Sequence, residues 1–106
     1  DIRNRRVVLI DDLIDTAGTV VNAAEALIEM GATEVYACCT HGVLSGPAIE
    51  RIQASQLEKL VMLNTIPLPE EKRIDKIVQL SVAGILAEAI ERIYSDKSIS
   101  TLFTQR

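Results

Sequence analysis

Four consecutive apolar residues, Val7-Val8-Leu9-Ile10, run straight into a string of carboxylates, hydroxyls and a glycine, Asp11-Asp12-Leu13-Ile14-Asp15-Thr16-Ala17-Gly18-Thr19. Such an apolar run reads as a strand of the parallel-sheet type, expected to be buried on both faces. The acidic stretch 11–18 reads as a turn, and a helix follows over about residues 19–30, with Val20, Val21, Ala24, Leu27 and Ile28 at helical spacing. Gly31 then stands where a helix is closed. Parallel strands need a long crossover between them, so strand, turn and helix in this order open a βαβ unit.

The remainder of the chain repeats the alternation. Residues 34–40 read as a second strand and 41–47 as a loop, with Ser45 as N-cap of a helix through Ala48, Ile49 and Ile52. A third strand lies within 57–63, and Pro67 and Pro69 make 65–71 irregular. A fourth strand is predicted at 74–80, and Ser81 caps a last helix to about residue 94, before a polar tail at 95–106. The fold class is therefore α/β, a mostly parallel twisted sheet with helices on both faces.

The chain's 106 residues suit one domain with one core. Aromatics make up only 3% and Trp is absent, so the core must be aliphatic. No run approaches the roughly 18 apolar residues of a membrane span, and a net charge of -4 disfavours nucleic acid as main partner. A cytoplasmic location is the expectation. Cys38 and Cys39 are adjacent and point to opposite faces of a strand, which opposes a disulfide between them; they read as small core or half-buried residues. No zinc-type spacing is present. The chain opens with Asp1 and enters a strand almost at once, which suggests a fragment or a processed chain.

Ligands of parallel sheets bind at the carboxyl ends of the strands, where the acidic string sits. Its second half suits an anion. Free N–H groups at a helix start attract phosphate, Ala17 and Gly18 allow close backbone approach, and the Thr16 and Thr19 hydroxyls can donate. No Lys lies in the loop, which excludes a Walker-type nucleotide loop and leaves backbone and hydroxyl donors for the phosphate. The first half suits a polyol, because carboxylates accept hydrogen bonds from vicinal hydroxyls. Acid beside a phosphate loop says sugar phosphate. Receiver domains also pair aspartates after a first strand, but they need a phosphorylated aspartate and a lysine at later strand ends. The second strand here ends Thr40-His41 and the third Leu63-Asn64.

The stretch from Val7 to Thr19 resembles the phosphoribosyl pyrophosphate signature shared by type I phosphoribosyltransferases and ribose-phosphate pyrophosphokinases. Four further segments are similar to the carboxyl-terminal part of the second family: Cys39-Thr40-His41-Gly42-Val43-Leu44-Ser45-Gly46-Pro47-Ala48, Asn64-Thr65-Ile66-Pro67, Leu86-Ala87-Glu88-Ala89-Ile90 and Ser98-Ile99-Ser100-Thr101-Leu102-Phe103. They occur in order over essentially all 106 residues. The resemblance implies a type I phosphoribosyltransferase-like fold and a transferase reaction. Ribose 5-phosphate and ATP give phosphoribosyl pyrophosphate and AMP, the sugar's 1-hydroxyl attacking the β-phosphorus of magnesium-bound ATP. It implies that Asp15, Thr16, Ala17, Gly18 and Thr19 bind the 5-phosphate and that Asp11 contacts the ribose hydroxyls, supported by Asp12.

The same resemblance places the catalytic lysine and arginine, the ATP-binding segments and the metal-binding residues before this stretch. Residues 1–106 would thus be the carboxyl-terminal domain of a two-domain enzyme, inactive alone, with no catalytic residue and the Mg2+ ligands mostly outside. Its last helix and tail would pack on the other domain, leaving apolar surface at Ile85, Leu86, Ile90 and Ile93. Ser98, Ser100 and Phe103 would belong to a subunit-interface site for phosphate and ADP, in a hexamer built from dimers. A non-catalytic regulatory relative and a type I phosphoribosyltransferase are the alternatives. The intact loop opposes the first, and the segment Thr40 to Ala48 and the serine-containing tail oppose the second. His41 reads as structural, Ser45 as a helix start rather than a nucleophile, and Glu70-Glu71-Lys72-Arg73 as a solvated loop.

Overall fold

The computed structural model describes residues 1–95. Along the chain run β1 (Arg6–Ile14), α1 (Gly18–Glu29), β2 (Glu34–Gly42), α2 (Ala48–Ala54), β3 (Leu57–Leu63), a 3-10 turn (Glu70–Lys72), β4 (Ile77–Leu80) and α3 (Ala83–Tyr94). The α/β class is as the periodicity implies, and every predicted strand and helix is present. Several boundaries move.

β1 continues four residues past Ile10, because its ladder with β2 carries on through Leu13 opposite His41 and Ile14 opposite Gly42. Asp11 and Asp12 are therefore strand residues, not turn residues, and β2 correspondingly takes His41 and Gly42 from the expected loop. β4 starts at Ile77 rather than Ile74, since a tight turn, Ile77 N–H to the Ile74 carbonyl at 3.0 Å, precedes it. The end of α1 follows the glycine signal. Gly31 adopts φ +104, its N–H donates to the Ile28 carbonyl and that of Ala32 to the Leu27 carbonyl, both at 3.0 Å. Ser45 does not cap α2. Pro47 stands at that position, and the serine side chain is engaged elsewhere. The Ser81 hydroxyl does accept the Ala83 N–H at the start of α3, at 3.1 Å.

All three strand pairings are parallel and the order is β1-β2-β3-β4. A right-handed crossover that always steps to the same side keeps its helix on the same face. The strand order never reverses, so α1 and α2 share one face. There Val35, Ala37, Cys39, Leu60 and Met62 meet Ala24, Ala48 and Ile52 in a core that is wholly aliphatic apart from its sulfur atoms. By register, the opposite face carries Val8, Ile10, Cys38, Val61, Leu63, Val78 and Leu80. Ile10 is 83% exposed and Val8 54%. The expectations of helices on both faces and of a first strand buried on both are thus met on one face only among the described residues.

Cys38 is half-buried on the open face, Cys39 is buried on the covered one, and both are free thiols. Ile85, Leu86, Ile90 and Ile93 of α3 are each more than half exposed, as the resemblance implied. Among the described residues no helix is long and apolar enough to cross a membrane.

Candidate functional site

β1 ends where α1 begins, and the three residues between them make the site. Ala17 adopts the left-handed conformation, φ 68, which swings the chain from strand direction into the helix. Its side chain is buried, so a small residue is needed there. The first-turn N–H groups of α1 have no intrahelical partner, no side chain among the described residues caps them, and the first turn carries no acid. Unsatisfied donors at the positive end of a three-turn helix are the backbone's own anion site.

A cavity of about 240 Å³ opens at this point, lined by Asp11, Leu13, Ile14 and the continuous run from Asp15 to Val20. Of the seven residues expected to bind substrate, Asp11, Asp15, Thr16, Ala17, Gly18 and Thr19 line it. Asp12 does not. Strand alternation explains the difference: with Asp11 in β1, its neighbour must project to the other face of the sheet. Asp12 instead donates its backbone N–H to Asp11 Oδ1 at 2.8 Å. Hydrogen bonding from Asp12, through its side chain first and its backbone second, holds the Asp11 carboxyl below the ordinary carboxylate range. Asp11 is therefore a carboxylate at neutral pH, an acceptor for hydroxyl groups.

The loop is braced from the β2–α2 connection. Val43 and Leu44 both donate their N–H groups to the Ile14 carbonyl, at 3.0 and 3.2 Å, and Ser45 N–H donates to the Asp15 carbonyl at 2.9 Å. The Ser45 hydroxyl donates to Asp15 Oδ1, and Arg51 Nη1 donates to the Thr16 carbonyl at 3.1 Å. A Cβ at Gly18 would stand 3.1 Å from Arg51 Nη1, which is why the glycine has no room for a side chain without moving the guanidinium. Lys72 donates to the carbonyl of Leu44 at 2.9 Å, so the charged run is more than solvated surface.

None of these three supports was legible as local pattern, because they act across 28 to 35 residues. Topology was the signal that could have found them. In a parallel sheet the connection after β2 must lie beside the connection after β1.

His41 sits apart. The Thr65 hydroxyl donates to the Thr40 carbonyl at 3.1 Å and so accepts from His41 Nδ1 at 2.7 Å, tying the end of β2 to the loop after β3. Among the described residues no three acidic, histidine or cysteine side chains are placed to hold a metal ion. Ser98, Ser100 and Phe103 lie outside the described residues.

Residues 1–104 match the family model described as the phosphoribosyl synthetase-associated domain. The chain belongs to that family. Ribose-phosphate pyrophosphokinase of Clostridium acetobutylicum is 62% identical over 105 residues, 99% of this chain and 33% of that enzyme. The enzyme of the same name from Bacillus caldolyticus is 64% identical over 102 residues, 96% of this chain and 32% of that enzyme. In three dimensions the chain is similar to phosphoribosylpyrophosphate synthetase from Mycobacterium smegmatis, with a TM-score of 0.86 at 38% identity, covering 91% of this chain and 32% of that one. The chain thus spans about a third of the length of these relatives.

Proposed function

We propose that this chain holds ribose 5-phosphate as the carboxyl-terminal part of a ribose-phosphate pyrophosphokinase. One observation carries the reading: a strand-end carboxylate and a run of unsatisfied helix N–H groups line the same cavity. The phosphate dianion takes the amides of α1 and the Thr16 and Thr19 hydroxyls, where the helix dipole favours negative charge. Asp11 accepts from the vicinal ribose hydroxyls, and Asp15, fixed by Ser45, closes the ring of contacts. Asp12 acts only through its hydrogen bonding to Asp11.

In the complete enzyme the 1-hydroxyl of the bound sugar attacks the β-phosphorus of ATP, giving phosphoribosyl pyrophosphate and AMP. This chain contributes position: a bound, oriented sugar converts a bimolecular encounter into an intramolecular one. Magnesium would neutralise the phosphate chain of ATP, on ligands that lie mostly outside this stretch. The complete protein is cytoplasmic and assembles as hexamers, with Ser98, Ser100 and Phe103 at a regulatory subunit interface.

The test is calorimetric. Ribose 5-phosphate should bind at least about tenfold more tightly than ribose or inorganic phosphate, since each of those forfeits one half of the contacts. With ATP and Mg2+ added, the 106 residues alone should release no AMP. Equal affinity for ribose 5-phosphate and phosphate would reduce the site to an anion cradle and overturn the sugar assignment.

A further inference from the structure

The loop that takes the phosphate carries a strained residue and no charge of its own that would attract an anion, yet a guanidinium lies against it from a different element. Ala17 at φ 68 is a non-glycine residue in left-handed space, which costs on the order of 1–2 kcal/mol and persists only when neighbours over-determine it. The carbonyl of Thr16 and the N–H of Ala17 belong to one planar trans peptide and point in opposite directions. Whatever fixes the direction of that carbonyl therefore fixes the direction of the amide.

Arg51 Nη1 is the donor to the Thr16 carbonyl, at 3.1 Å. No ion pair among the described residues involves Arg51. Its charge also lies at the positive end of α1, against Gly18, where the helix dipole disfavours a cation. Two like fields meeting at an exposed point are relieved when an anion enters between them.

We propose that Arg51 is the positioning residue of the phosphate loop: through the Thr16 carbonyl it aims the Ala17 amide into the cavity, and its charge complements the incoming phosphate. The inference rests on the sugar-phosphate reading of the cavity. It adds a residue from α2 that the loop's own sequence does not announce. Arg51 is exposed, so its replacement leaves the core untouched.

The experiment compares the chain with its Arg51→Gln and Arg51→Lys variants by ¹⁵N relaxation, with and without ribose 5-phosphate. In the free chain the Ala17 and Gly18 amides should be as ordered as the helix. In Arg51→Gln their order parameters should fall below about 0.6 while those of α1 stay unchanged. Affinity for ribose 5-phosphate should drop about tenfold in Arg51→Gln, as for loss of a charge-assisted hydrogen bond, and recover to within about threefold in Arg51→Lys. Unchanged loop order in Arg51→Gln overturns the proposal whether or not sugar phosphate binds. Unchanged affinity, with the parent chain binding, overturns it as well. A parent chain that binds no ribose 5-phosphate while Arg51→Gln still loosens the loop overturns the sugar-phosphate reading instead.

Discussion

Cys38 and Cys39 are neighbours in the chain and occupy different environments. Cys39 faces α1 and α2 on the covered side of the sheet; Cys38 faces the side that no described helix covers. Both sides are apolar. Leu60 on the covered side is fully buried, whereas Ile10 on the open side is almost entirely accessible. The difference teaches that an apolar strand residue declares a preference and not its burial. Burial depends on what the topology brings over it, and an unreversed strand order brings both crossover helices to one face.

The comparison breaks most readily under paired truncation. Leu60→Ala should cost about 2–5 kcal/mol in urea unfolding, for lost transfer energy plus a cavity. Val8→Ala on the open face should stay within about 0.5 kcal/mol, the ordinary range of a surface change. Equal losses would mean that the open face is covered in solution.

Thiol chemistry sharpens the contrast without altering the packing. Burial first, then the charge of Asp11, then Cys38, raise the Cys39 thiol from 9.0 to about 11. Its thiolate fraction at neutral pH is thereby reduced about a hundredfold. Iodoacetamide should label half-buried Cys38 faster than buried Cys39, as read by peptide mass spectrometry. The sign for stability follows from the same shift. A group whose pKa is raised on folding stabilises fully below its unfolded value of 9.0, and this contribution is lost as pH rises through about 11. Alkaline destabilisation that persists unchanged in Cys39→Ala would show that another group governs that limb.

Much of this was legible in the sequence, and the rest was hidden for physical reasons. Alternation of strand and helix signals revealed the βαβ order, and Gly31 marked the end of α1, because a left-handed C-terminal residue is a local requirement. The site loop was legible because its chemistry is contiguous from Asp11 to Thr19. Asp12 does not line the cavity beside Asp11, for a purely geometric reason. Whether two adjacent carboxylates share a cavity depends on whether they lie in a turn or a strand, and the ladder to Gly42 decided for strand. Ser45 carried a genuine capping signal, but Asp15 takes its hydroxyl. Arg51 and Lys72 stayed silent because nothing in their own neighbourhood indicates which distant carbonyl they meet.

The most direct test of the sugar-phosphate site is an amide NMR titration of the chain with ribose 5-phosphate, run beside Asp15→Ala. Saturable shifts centred on Asp11 and on residues 15–19, lost in the variant while its remaining spectrum stays that of the folded chain, are the predicted result. Shifts absent from that loop in a folded chain, or the same shifts persisting in Asp15→Ala, would contradict it.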